Sequence, residues 1–183
     1  VRAVMVSRMI AEKGVRDLAD AARLLKAQGN DLRILLAGQP DAENPSAIAA
    51  GELEGWAREG ILEYLGHVGD VAALWRQSHI GVLPSYYAEG VPLALIEAAA
   101  AGRPLVACAG PGLSDIAVAD VSALVVPARD PEALATALAR LAGDAALRAR
   151  LGAGARRLAE DRFSAERVVA ETLALYRRVG AQA

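Results

Sequence analysis

Two sets of charged residues in this 183-residue chain have types and spacings that could do chemistry. The first is Arg8 and Lys13 in "RMIAEKG", which follows the apolar run "VMVS". A guanidinium offers a two-pronged fork to phosphate oxygens and an ammonium a compact charge, so together they suit a diphosphate. Lys13 is the more telling, because the chain has two lysines, Lys13 and Lys26, against eighteen arginines. Spacing alone leaves open that both are ordinary surface cations. The second set is Glu89 and Glu97 in "AEGVPLALIEAAAAGRP", eight positions apart around a turn that becomes an apolar helix. Eight helical steps of about 1.5 Å span roughly 12 Å, beyond the ~5–9.5 Å of paired glycosidase carboxylates. Glu97 also stands too far from the helix start to close a capping box. Two separate acceptors for two distant polyols is the more natural reading. The structural alternatives are an acid complementing the helix dipole for Glu89 and a solvent-facing helix residue for Glu97.

Between the acids, Gly90-Val91-Pro92 read as the turn and first helical residues, with Pro92 in the first turn, where its missing N–H costs little. The free amides and positive dipole end of that helix make a seat for phosphate or a sugar hydroxyl. Gly38 in "LAGQPD" would let a ligand approach the backbone, and "ACAGPGLSD" is a second glycine-rich turn, weak evidence by itself.

Other chemistry is disfavoured. No G-x-G-x-x-G follows the first apolar run and no Walker loop occurs; the G-x-G of "LGAGAR" sits in a helical segment, the wrong context. His67 and His79 lack ligand partners at useful spacing and no D-x-D is present, so neither a metal nor a cofactor is expected. The single cysteine, Cys108, rules out an internal disulfide and reads as a buried inert thiol, which fits a reducing compartment. Residues 1–139 hold 11 basic and 17 acidic groups and residues 140–183 hold 9 and 5, an asymmetry inside a net charge of −2. The basic end reads first as a solvated helical face and second as a weak contact with an anionic membrane. Nucleic acid is not expected as a partner, because no basic cluster is interleaved with aromatics. No run reaches the roughly 18 apolar residues of a membrane span, and a cytoplasmic protein is expected.

The elements that must position these residues alternate. Strand-length apolar runs occur at residues 2–7, 32–38, 61–68, 80–85, 104–109 and 123–128, apolar on both faces as in a covered parallel sheet. Between the first two, "GVRDLADAARLLKAQG" places Val15, Leu18, Ala22 and Leu25 on one stripe and stops at Gly29. Further helices are expected near 46–59, 70–77 and 91–101. The pattern predicts one α/β domain over residues 1–183: a doubly wound, Rossmann-like parallel sheet of about six strands with helices on both faces. Three C-terminal helices follow, the first starting at the Asp-Pro of "DPEALATALARLAGD", and all three need a surface to pack on. The abrupt opening into a strand suggests a domain taken from a longer protein.

Taken in order, "VSRMIAEKG", "LRILLAG", "YLGHV", "GVLPSYYAEGVPLALIEAAAAGRPLVA" and "ALVVPARDPEALATALARLAGD" resemble the C-terminal, donor-binding half of family-4 retaining glycosyltransferases of the GT-B architecture. The resemblance covers nearly the whole chain and implies that an N-terminal acceptor domain is absent from it. It implies that Arg8 and Lys13 hold a nucleotide diphosphate, Glu89 faces the donor sugar and Glu97 binds the ribose hydroxyls. Gly90, Val91 and Leu93 match a turn whose amides contact sugar and phosphate, while Gly38, Leu65, Gly66 and His67 match walls of the nucleotide pocket. Two departures stand out: Pro92, where many relatives keep a glycine, and "AGQPD", which lacks a second glycine. The implied function is transfer of a sugar from a UDP- or GDP-type donor to a glycan or lipid-linked glycan, in bacterial surface polysaccharide or lipopolysaccharide synthesis. The implied transfer is retaining and uses no side-chain nucleophile; the fragment alone would be inactive. The basic C-terminal end leaves peripheral attachment to the inner face of the membrane as a second expectation. Alternatives are a nucleotide-sugar epimerase of the same architecture and a non-catalytic nucleotide-sugar binding domain.

Overall fold

The computed structural model describes residues 1–88 and 90–180. Six parallel strands, β1 (Arg2–Val6), β2 (Arg33–Ala37), β3 (Glu63–Gly66), β4 (Ile80–Leu83), β5 (Leu105–Cys108) and β6 (Ala123–Val126), form one sheet in the order β3-β2-β1-β4-β5-β6. Each lies within a run read as a strand from the sequence, trimmed by one to four residues where the chain turns out of the sheet. β1, β4 and β5 are almost wholly buried, as expected for apolar strands covered on both faces.

The helices are α1 (Val15–Ala27), α2 (Ala50–Glu59), α3 (Val71–Gln77), α4 (Leu93–Ala100), α5 (Leu113–Ile116), α6 (Pro131–Gly143), α7 (Ala145–Phe163) and α8 (Ala165–Gly180). The α1 stripe is as read: Val15, Leu18, Ala22 and Leu25 are buried, and Gly29 at φ 69° closes the helix end. α2 begins four residues later than expected, because residues 46–49 are drawn into the loop that braces β1. α5 was not anticipated; the "GPG" turn leads into it through Gly112 at φ 73°, and Gly110 N–H donates to Ser114 Oγ, so this turn closes on itself. Asp130 caps α6, its Oδ1 accepting from the Ala133 amide at 2.8 Å with Pro131 at the first position.

The right-handed crossovers general to parallel sheets would put α1 and α2 over one face and α4 over the other, and the helix contacts agree. α1 packs on α6 and is tied to α2 by the Arg16–Glu52 and Arg23–Glu59 ion pairs, whereas α4 packs on α3, α5 and α7. The alanines of "IEAAAAG" have a packing reason: a Cβ on Gly81 of β4 would sit 2.8 Å from the Ala98 Cβ, so helix and strand approach closely. The glycines of "LGAGAR" have one too. Gly152 faces the Gly102 carbonyl and Gly154 the Val121 carbonyl, with no room for a Cβ at either. Of the three C-terminal helices, α6 and α7 find the expected surface. α8 does not: it touches α7, has no buried residue, and leaves Val168, Val169, Leu173, Leu175, Tyr176 and Val179 exposed. No helix among the described residues is long and apolar enough to cross a membrane.

Cys108 ends β5 with 1 % of its surface exposed, and burial, aided by the Asp17 charge, pushes its thiol up to about 11. At pH 8 the thiolate fraction is then on the order of one in a thousand. The native chain is expected to resist iodoacetamide at pH 8 and to be alkylated once unfolded in denaturant. Equal labelling rates with and without denaturant would contradict the buried placement.

Candidate donor site

The strand order reverses between β1 and β4, so their carboxyl ends diverge and open a crevice. Beyond Val6 the chain remains knitted to its neighbours. The Ser7 amide donates to the Ala37 carbonyl at 3.0 Å, Met9 to Gln39 at 2.9 Å and Ile48 to Met9 at 2.8 Å. Met9 and Ile10 are buried beneath this extension and Arg8 faces outward. A single 3₁₀ turn, Ala11–Lys13, carries the chain into α1 through Gly14 at φ 75°. A Cβ at Gly14 would lie 2.2 Å from the Pro84 carbonyl oxygen, so this glycine lets the Lys13 turn press against the end of β4. The Glu12 carbonyl accepts from the Tyr86 amide at 3.0 Å and from Ser85 Oγ at 3.1 Å, fastening the same turn to the loop after β4. The Glu12 carboxylate accepts from Ser46 Oγ, and that bond, with its own backbone amide, holds it below the usual glutamate range.

Two neighbouring clefts meet at Ser7 and Arg8. One, of about 320 Å³, is lined by Arg8 and Lys13 on one side and by Gly90, Val91, Pro92, Leu93 and Ala94 on the other. The second, of about 510 Å³, runs over Gly38, Gln39, Pro40 and Asp41 to His67. Arg8 therefore faces both. Its Nη1 is 2.7 Å from Asp41 Oδ2, with 58 % of the arginine side chain exposed. An exposed pair of this kind contributes at most about 1 kcal/mol, so the guanidinium can exchange it for a phosphate at small cost.

The structure thus brings Arg8, Lys13, Gly90, Val91 and Leu93 to one cleft and Arg8, Gly38 and His67 to the next. Pro92 departs from the sequence reading: at ψ 122° it is the N-cap residue, outside the first turn, so its missing N–H takes nothing from the helix. The first amides of α4, those of Leu93 and Ala94, receive no side-chain cap and lie at the cleft. Gly90 has open space where a Cβ would be. Gly38 is needed by the chain itself, since at φ 136° a Cβ would lie 1.8 Å from the Ser7 carbonyl oxygen. Its amide donates to the Gly66 carbonyl at 2.7 Å and its carbonyl accepts from Tyr64 Oη–H at 3.2 Å, which joins the loops after β2 and β3. Leu65 is 38 % exposed beside Gly66. Glu89 lies outside the described residues.

Glu97 does not join the first cleft. It stands one turn further along α4 and lines a separate hollow of about 320 Å³ between α3 and α4, with Ala72, Trp75, Arg76, Ala100 and Ala101. Trp75 Nε1–H donates to Glu97 Oε2 at 3.3 Å. Sequence reasoning missed Ser7, common to both clefts, Asp41, which holds Arg8, and Trp75. Only Asp41 left a signal, as an acid in the turn-forming "GQPD". Among the described residues no group of three metal-ligating side chains converges.

A profile described as "Glycosyl transferases group 1" matches residues 1–144. The amylovoran biosynthesis glycosyltransferase AmsK of Erwinia amylovora is 33% identical over 155 residues, 77% of this chain and 36% of that protein. The sucrose-phosphate synthase structure from Thermosynechococcus elongatus superposes with a TM-score of 0.86 at 29% identity, covering 100% of this chain and 46% of that one. The structure of Anabaena Alr3699/HepE in complex with UDP superposes over 94% of this chain and 48% of that one, with a TM-score of 0.80 at 22% identity, a likeness of fold. The chain spans less than half the length of each of these proteins. With the profile covering more than three quarters of its residues, the chain belongs to the group 1 glycosyltransferases.

Proposed function

We propose that this chain is the donor-binding half of a glycosyltransferase that moves a sugar from a nucleoside-diphosphate sugar to an acceptor glycan or lipid-linked glycan in surface polysaccharide synthesis. The observation that carries the reading is the position of Arg8, shared by two contiguous clefts at the β1/β4 reversal, with Lys13 and the uncapped start of α4 around the first. The diphosphate lies in the cleft between Lys13 and the α4 amides, where an anion gains from both the cations and the helix dipole. The nucleoside extends over Gly38 and His67, past Leu65 and Gly66. AmsK, by its name, works in amylovoran biosynthesis, which fits polysaccharide synthesis, and HepE is a UDP-bound neighbour, which fits a donor of UDP type.

In this reading Glu89 faces the transferred sugar and Glu97 the ribose. Transfer proceeds with retention, without a metal and without a side-chain nucleophile. Charge developing on the leaving diphosphate is stabilised by Arg8, Lys13 and the amides of Leu93 and Ala94, groups fixed in place before the reaction begins. The acceptor and the rest of the machinery come from an N-terminal domain, so this half binds donor and does not transfer.

Thermal unfolding against a panel of UDP, GDP and their sugars tests the reading. At a hundredfold excess over Kd, mass action adds about 2.7 kcal/mol. For a chain of this size that corresponds to roughly 5–10 °C. A rise with one nucleotide family is expected, and no rise with any would overturn donor binding by this half.

A further inference from the structure

We infer that Trp75 is a positioning residue for Glu97, fixing the plane of its carboxylate so that the acid can take a ribose diol. The inference rests on the donor-site reading above. Trp75 belongs to α3 and is 2 % exposed, wedged under α4, with its ring 3.7 Å from where a Gly81 Cβ would stand. An indole has one polar hydrogen, on Nε1, which can donate and never accept, and burial makes it need an acceptor. Glu97 Oε2 fills that need at 3.3 Å. Around the acid the helix is apolar, "LALIEAAA", and Arg76, the cation of the same hollow, leans to Asp70 at 3.7 Å.

One carboxylate oxygen is thereby held from α3, while the other keeps its lone pairs for a ligand. A vicinal diol presents two O–H donors at fixed separation and reads the orientation of the carboxylate as well as its charge. The side chain leans toward the N-terminus of its helix, as helical side chains do, and therefore toward the lip of the first cleft one turn above. A glutamate with nothing beside it would sample several rotamers and lose that orientation. The tryptophan costs no ligand contact of its own, since it acts through the acid.

The test is a comparison of nucleotides. Titration calorimetry of the full chain with UDP and GDP, each against its 2′,3′-dideoxy analogue, gives the preference for the diol. The wild type is expected to prefer the ribonucleotide by about tenfold, the worth of a hydrogen bond to a charged acceptor. Trp75→Phe, which keeps an aromatic ring and removes the N–H, is expected to bring that preference within about threefold while leaving the affinity for the dideoxy analogue unchanged. Loss of affinity for both ligands alike would mean that Trp75 is structural, and an unchanged preference in the variant would overturn the inference while sparing the donor site. A wild type that binds neither nucleotide would overturn the donor reading and the inference with it. Binding without any preference would remove the ribose role of Glu97.

Should Trp75→Phe fail to fold, the wild type still decides the matter. It has two indole N–H resonances, from Trp56 and Trp75, assigned with Trp56→Phe. The Trp75 resonance is expected to move in Glu97→Gln and on adding the ribonucleotide, and to move less with the dideoxy form. A resonance indifferent to Glu97→Gln would refute the contact.

Discussion

In the glycosyltransferase proposed above, Lys13→Ala is expected to lower kcat/KM by about 10²–10³, the range seen when one preorganised charge-stabilising donor is removed. The backbone that carries Lys13 is a 3₁₀ turn braced from three directions: by the Gly14 approach to Pro84, by the Glu12 carbonyl held from Ser85 and Tyr86, and by the Glu12 carboxylate held from Ser46. A cation carried on a backbone held this way starts close to where negative charge grows on a leaving diphosphate. Arg8→Ala is expected to cost less, about tenfold, because the guanidinium is exposed and must first leave Asp41. The loss in Lys13→Ala should appear mainly in kcat, since the leaving group gains charge in the transition state. A rise in KM alone would assign Lys13 to ground-state binding, and unchanged kinetics in both variants would remove the pair from the site.

The sheet was legible because six apolar runs separated by helical periodicity admit few arrangements once crossovers are right-handed. Strand order follows less directly. Nothing local in "IGVLPS" says that β4 lies beside β1 rather than β3, yet that adjacency creates the crevice. Arg8, Lys13 and the 90–94 turn could be placed at strand ends from sequence, and the fold brings them together. The helix start at Leu93 rather than Val91 was a matter of two residues, set by an extended ψ that Pro92 tolerates. Long-range reasons were invisible: Gly38 reads as freedom for a ligand, whereas Gly38 and Gly14 each accommodate a carbonyl from another strand end. Trp75 left no signal, because its contact with Glu97 joins residues 22 positions apart on different helices.

The same long-range logic gives the second large effect, on stability. Gly154→Ala is expected to destabilise the fold by about 1–3 kcal/mol, as overpacking in a close contact does. In an ordinary helix the exchange stabilises by roughly 0.5–1 kcal/mol, because alanine has less backbone freedom to lose. Here the added Cβ would stand 1.9 Å from the Val121 carbonyl oxygen, a backbone atom that cannot swing aside. α7 would have to lift from the β5–β6 connection, disturbing its packing on α4 and α5, where Leu151 and Ala155 are fully buried. Gly55→Ala supplies the contrast, since Gly55 lies in α2 with ordinary φ and nothing within 4 Å of its Cβ position. Tm is expected to fall by roughly 2–12 °C in Gly154→Ala and to rise by about 1–4 °C in Gly55→Ala, at 2–4 °C per kcal/mol for a chain of this length. If both variants gained stability, the close crossing of α7 over Val121 would be wrong, and "LGAGAR" would again need another explanation.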